Sequence, residues 1–209
     1  MDLWEIDAGL VASGYKAICG VDEAGRGPLA GPVYAAAVIL PEGLRIPGLN
    51  DSKKLSEKNR GILYDIIVAN AVAYGIASAD QREIDDINIL KATFLAMNRA
   101  VGALAVKPDI LLIDGNMDPG IQQPCKLIIG GDGKSASIAA ASILAKVSRD
   151  RFMADISHKY PGYGFEKHKG YGTRLHYEKL AMYGPTDIHR QTFLRKWKNN
   201  NGESKDRKT

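Results

Sequence analysis

An α/β layered fold with a mixed sheet is the class this sequence predicts, and three observations predict it. Residues 17–21 and 33–40 are short apolar runs joined by a Gly/Pro segment, the pattern of two paired strands. Ile110-Leu111-Leu112-Ile113 is continuously apolar, as in a strand covered on both faces. Between and after these runs lie stretches with helical spacing, and strands interleaved with helices pack as layers.

The elements follow in order. Residues 17–21 and 33–40 form a hairpin-like pair. Asn50-Asp51-Ser52-Lys53-Lys54-Leu55 is a polar connection, after which Ser56 caps a helix with Ile62, Leu63, Ile66 and Ile67 as its apolar positions. Val72, Tyr74 and Ile76 alternate with Ala73, Gly75 and Ala77, as a strand does. Residues 89–106 carry helical spacing through Leu90, Phe94, Met97, Val101 and Leu104, and stop before Pro108. Residues 126–129 give one more short strand. Residues 135–159 form a long helix whose first half is nearly all Ala, Ser and Ile, and hence closely packed. From Pro161 the composition shifts to Gly/Tyr loops around 161–165 and 169–173, followed by a short helix over 174–183.

The 209 residues suffice for one substantial domain and an appendage. The sequence divides into a core at 1–155, a helical and loop extension at 156–197, and a disordered basic tail at 198–209. Hydrophobic content of 45% and charged content of 25% are those of an ordinary globular protein. With no basic leader and no membrane-length apolar stretch, the expectation is a cytoplasmic protein with no membrane contact. Cys19 and Cys125 are isolated thiols, expected to be reduced and buried. The net charge of +4 is unevenly spread: residues 151–209 hold 13 Lys/Arg against 6 Asp/Glu, while residues 1–150 hold 15 against 18. An acidic body with a basic C-terminal third suits a polyanion gripped by one part while cations sit on the other.

The chemistry concentrates in acids. Asp22 and Glu23 end one strand, Asp114 ends another, and Asp132 stands in the glycine-rich turn ahead of the long helix. Carboxylates ending buried strands must be solvated or neutralised there. Several converging would repel one another unless divalent cations bridged them. Oxygen-only ligation favours Mg²⁺ or Mn²⁺ over Zn²⁺, and two such ions suit phosphodiester hydrolysis. Taken singly, Asp114-Gly115 and Asp132-Gly133 also fit ordinary turns. Consecutive strand residues face opposite sides, so Glu23 joins Asp22 only where the strand breaks up, as Ala24-Gly25 allows.

Two phosphate-loop patterns are weak or fail. Gly25-Arg26-Gly27-Pro28-Leu29-Ala30 fits a dinucleotide fingerprint, but a turn and a strand follow it where a helix is required. Gly131-Asp132-Gly133-Lys134-Ser135 ends like a P-loop, yet the first required glycine falls on Ile128. The four histidines, His158, His168, His176 and His189, have no zinc-site spacing and fit surface or packing positions.

Five segments together closely resemble bacterial ribonuclease HII, the type 2 ribonuclease H: Val21-Asp22-Glu23-Ala24-Gly25-Arg26-Gly27-Pro28-Leu29-Ala30-Gly31-Pro32-Val33; Asn50 through Leu55; Ile113-Asp114-Gly115; Ser137 through Asp150; and His168-Lys169-Gly170-Tyr171-Gly172-Thr173. The resemblance runs in order from about Ile18 to Leu194. It implies an RNase H-like core with a mixed β-sheet flanked by helices, plus a small helical C-terminal extension. It implies cleavage of the RNA strand of RNA–DNA hybrids and nicking of DNA duplexes 5′ to embedded ribonucleotides, leaving 3′-hydroxyl and 5′-phosphate ends. By position, Asp22, Glu23, Asp114 and Asp132 correspond to the ligands of two Mg²⁺ or Mn²⁺ ions. Gly25-Arg26-Gly27 corresponds to the grip on the ribose 2′-hydroxyl and its phosphate, and Tyr171 to the ring stacked on the sugar at the RNA-to-DNA junction.

That transfer suits the chemistry, because the 2′-hydroxyl alone separates RNA from DNA at a given position. Taken alone, Arg26 fits a solvated turn and Tyr171 a packing aromatic. Lys53, Lys54, Lys146, Lys167, His168 and Lys169 are candidate phosphate contacts, with Lys146 also suited to pair with Asp150 one turn on. The sequence therefore reads as a monomeric metal-dependent endoribonuclease. Its rivals are a dinucleotide-binding oxidoreductase and a non-catalytic nucleic-acid-binding module.

Overall fold

Five strands form a single mixed sheet in the order β3-β2-β1-β4-β5 in the structure, a computed structural model that describes residues 2–195 together with 197 and 199. Strand β1 (Ile18–Ala24) pairs antiparallel with β2 (Val33–Ile39), which pairs antiparallel with β3 (Ala73–Ala79). On its other edge β1 runs parallel to β4 (Ile110–Asp114), and β4 parallel to β5 (Cys125–Ile128). The predicted mixed α/β sheet is the one observed. The proposed basic tail at 198–209 lies outside the described residues apart from Asn199.

Alternation along the strands sorts the core into two layers. Cys19, Val21, Val33, Ala35, Ala37, Leu111 and Ile113 are buried against α3 (Gln81–Gly102). Ala36 and Val38 face the opposite layer, made by α2 (Glu57–Asn70) and α4 (Ala136–Lys159). Helix α4 lies on β1 so closely that a Cβ on Gly20 would stand 2.0 Å from the Ser137 carbonyl carbon. That contact is why the strand has no side chain there and why Ala136, Ala139, Ala140 and Ala141 line the helix. Helix α4 continues across position 155, where the sequence divides core from extension, and leads to α5 (Phe165–His168) and α6 (Arg174–Tyr183).

The structure departs from the sequence reading in three places. Helix α3 begins at Gln81, ahead of the expected 89, behind an Asp80/Glu83 capping box. It breaks at Asn88, whose φ is 69° and whose side chain accepts from Leu90 N and Lys91 N, so Asn88 caps the expected segment. Helix α1 (Glu5–Ala12) was not anticipated; its Asp7 accepts from Ala136 N and Ser137 N and caps α4. Strand β1 continues through Glu23 and Ala24, paired with Ala35 and Tyr34, where a break was expected. Among the described residues no helix is long and apolar enough to cross a membrane.

Candidate metal centre and nucleic-acid interface

Parallel pairing places the first two acids. Val21 stands opposite Ile113, so Asp22 and Asp114 are the next residues on adjacent strands, both at the C-terminal end and on the α4 side of the sheet. A 3₁₀ turn over Gly131–Gly133, directly ahead of α4, brings Asp132 to the same point. Carboxylate oxygens of Asp22, Asp114 and Asp132 all lie within 4.8 Å of one another. Asp22 and Asp132 are buried and Asp114 is half-buried.

The three groups are individually anchored. Asp22 accepts from Glu23 N at 2.7 Å and from the Ser142 hydroxyl, which is 2.8 Å from Ser52 Oγ. Asp114 accepts from Gly131 N at 2.6 Å, tying β4 to the Asp132 turn. Burial, with added repulsion from Glu23 and Asp114, pushes the Asp22 carboxyl well above its ordinary range. Burial likewise raises Asp114, with Asp132 adding repulsion. Three mutually repelling, oxygen-only donors held at fixed positions fit a hard divalent cation.

Glu23 stands apart from this trio. Residue parity in an unbroken strand turns it toward the α3 side, and its carboxylate meets Arg26 at 3.5 Å. Burial raises its pKa while Arg26 opposes the shift, and the Asp114 charge is close enough to raise it further. Lys53, expected at a phosphate, reaches Asp132 at 3.0 Å, and the hydrogen bond to Asp132 raises the ammonium pKa.

The loop over 25–32 leaves β1 beside the acids. It runs directly into β2, so the helix that a dinucleotide fingerprint needs is absent and the oxidoreductase reading falls. Two fully buried arginines hold it. Arg149 of α4 donates to Pro32 O, Ala30 O and Lys169 O at 2.9–3.1 Å. Arg190 donates to Gly31 O, Arg26 O and Gly25 O at 2.6–2.8 Å. Gly25 has φ +97°, and a Cβ there would meet Arg149 Nε at 2.0 Å, so the site admits only glycine. Neither arginine forms an ion pair among the described residues. Burial, then the Arg149 charge, brings Arg190 down to about 9, so it remains protonated at neutral pH. Both charges therefore sit beneath the loop without a direct ion pair among the described residues, each satisfied by three backbone carbonyls.

Tyr171 comes to the same surface. Its ring lies 4.0 Å from where a Gly27 Cβ would stand, with the Arg149 and Lys146 cations 5.7 and 5.9 Å from its centroid. The Tyr171 side is 41% exposed, leaving a face open beside the Gly25-Arg26-Gly27 loop. Lys146 pairs with Asp150 at 2.7 Å, and Lys169 with Glu57 at 3.6 Å. Lys54 and Lys167 are exposed. His168 is a correction to the candidate phosphate contacts. It is buried, its Nε2 is 2.9 Å from Tyr163 O, and its Nδ1 accepts from Gly170 N.

Sequence reasoning did not single out Ser52, Ser142, Arg149 or Arg190. The available signal was an arginine midway along the long helix and a His-Arg pair after the last loop. Comparison with known proteins gives a consistent result. Residues 19–200 match the family model described as Ribonuclease HII. A ribonuclease HII of Caldicellulosiruptor saccharolyticus is 55% identical over 192 residues, covering 92% of this chain and 94% of that protein. The crystal structure of ribonuclease H2 from Pyrococcus horikoshii superposes with a TM-score of 0.73 at 28% identity, covering 89% of this chain and 99% of that one. Bst-RNase HIII in complex with Mn²⁺ shares the fold, with a TM-score of 0.71 at 18% identity over 91% of this chain and 70% of that one.

Proposed function

This chain belongs to the ribonuclease HII family, and on that premise we propose which of its residues carry the reaction and how. It is a divalent-metal-dependent ribonuclease H that cleaves the RNA strand of RNA–DNA hybrids; nicking of DNA duplexes 5′ to embedded ribonucleotides fits the same family. Asp22, Asp114 and Asp132 would hold the cations, with Glu23 turning from Arg26 to complete the set. Two Mg²⁺ or Mn²⁺ ions bound there would supply an activated water and neutralise charge at the leaving oxygen. The protein's part is to hold the acids in place, to present the Gly25-Arg26-Gly27 backbone to the 2′-hydroxyl and phosphate, and to offer the Tyr171 face to the sugar. Lys53, Lys146 and Lys169 would then exchange their carboxylate partners for phosphates. We infer a monomer acting in the cytoplasm.

The observation that carries this reading is the convergence of three acids from distant stretches of chain, within 4.8 Å, beside that loop. The test is a DNA duplex with one ribonucleotide, incubated with Mg²⁺ or Mn²⁺ and then with chelator. A nick 5′ to the ribonucleotide is expected, needing metal and lost in Asp22→Asn. Cutting that persists in chelator refutes the metal mechanism, and binding of hybrid without cutting in either metal favours a non-catalytic module.

A further inference from the structure

Three imidazoles meet beneath the Tyr171 loop. His168, His176 and His189 are 7%, 0% and 1% exposed. The rings of His168 and His176 stack with centroids 4.3 Å apart, and His176 Nε2 lies 3.0 Å from His189 Nε2. Two nitrogens at that distance require one proton between them, and the outer partners decide where it sits. Thr186 N donates to His189 Nδ1 at 2.9 Å, so that nitrogen is bare and the His189 proton is on Nε2. His189 Nε2–H then donates to His176 Nε2, which leaves the His176 proton on Nδ1. That Nδ1 is 2.9 Å from the Tyr171 carbonyl, an acceptor with no hydrogen of its own. The chain is thus fixed at one end by a backbone donor and at the other by a backbone acceptor. It closes only while both rings are neutral, because an extra proton sets N–H against N–H at one link.

The Tyr171 ring is partly exposed, with the Arg149 and Lys146 cations 5.7 and 5.9 Å from its centroid, so its placement depends in part on its backbone. Tyr171 N donates to His168 O, and Tyr171 O accepts from Thr173 N at 2.8 Å and from His176. His176 is the one side chain hydrogen-bonding that backbone among the described residues. We propose that His176 and His189 are positioning residues for Tyr171, a neutral pair that sets the carbonyl, and through it the ring, of the residue that contacts the sugar. This rests on the reading of Tyr171 given above. Groups facing the pair are His168 from α5, itself near Glu166, the Tyr163 ring 5.6 Å from His189, and the more distant carboxylate of Asp187. Burial, with further opposition from neighbouring imidazoles, brings His176 and His189 each down to about 4, consistent with neutral rings.

The test compares four variants on a single-ribonucleotide duplex and on a long hybrid. His176→Leu removes the donor and is expected to lower kcat/KM on the duplex on the order of 10-fold, chiefly through kcat, as misplacement of a positioned group does. His176→Asn keeps an N–H near the Nδ1 position and is expected to restore most of that loss. Tyr171→Ala with His176→Leu should be no worse than Tyr171→Ala alone. Impaired Tyr171→Ala with fully active His176→Leu overturns the positioning role. Unchanged Tyr171→Ala overturns the reading of Tyr171 itself, and with it this inference. Where His176→Leu does not fold, imidazole ¹⁵N spectra of the wild-type protein decide: Nδ1–H on His176 and Nε2–H on His189 are expected, and the opposite tautomer on either ring sinks the proposal.

Discussion

Neutralising Asp22 should stabilise the metal-free protein while destroying its response to metal. Asp22 is 3% exposed and has two carboxylate neighbours at no more than 4.8 Å. At an effective dielectric near 20, each such pair costs about 3.5 kcal/mol only when both groups are ionised, and the raised Asp22 pKa lowers that cost. The Lys53 ammonium returns attraction of similar order to the trio, so Asp22→Asn should relieve roughly 1–3 kcal/mol. The asparagine Oδ1 still accepts from Glu23 N and the side chain is isosteric, so little packing is lost. For a chain of this size that corresponds to a rise in Tm of about 2–4 °C per kcal/mol. Thermal unfolding in chelator and then in MnCl₂ measures both halves. Wild type should gain Tm with Mn²⁺ by mass action and Asp22→Asn should not. A chelated Asp22→Asn that melts below wild type refutes the claim that these acids are held together against their own repulsion.

The remaining predictions concern Tyr171, the core and acid stability. Tyr171→Ala should lower junction cleavage roughly 10- to 100-fold, as loss of one stacked aromatic does, with the far-ultraviolet spectrum unchanged; equal cleavage removes Tyr171 from the site. Gly20→Ala drives a methyl into the Ser137 backbone and should cost about 1–3 kcal/mol or more, read as a lower urea midpoint; an unchanged midpoint shows that α4 yields. His176 and His189 have depressed pKa values, near 4 against 6.5 unfolded, so the unfolded chain binds more protons between those values. Their contribution is present above about pH 6.5 and is lost as pH falls toward 4. The fall in urea midpoint across that window should therefore be shallower in His189→Gln than in wild type, and equal slopes contradict neutral burial.

Most of the fold was legible because its signals are local. The 110–113 run, the Ser56 cap and the 174–183 helix each declare themselves within a few residues, and their observed limits fall close to expectation. Helix α1 was missed because its role lies in the Asp7 cap on a helix some 130 residues away, a pairing that no window contains. The trio of acids was legible through strand ends, and parity along β1 already warned that Glu23 differs from Asp22. The support beneath the loop was not legible. Arg149, Arg190 and the histidine pair hydrogen-bond to backbone groups, which carry no residue identity for a sequence pattern to match.

The two guanidinium groups have one more consequence. In a trans peptide the carbonyl and the next amide point in opposite directions. With the Gly25 and Arg26 carbonyls drawn inward by Arg190, the amide hydrogens of Arg26 and Gly27 must turn outward to the surface. The chain thereby presents a pair of donors whose aim is set from beneath by the buried Arg190 guanidinium. On the proposed reading, a sugar lacking its 2′-hydroxyl would leave that pair without an acceptor, so selectivity would follow from peptide orientation rather than residue type.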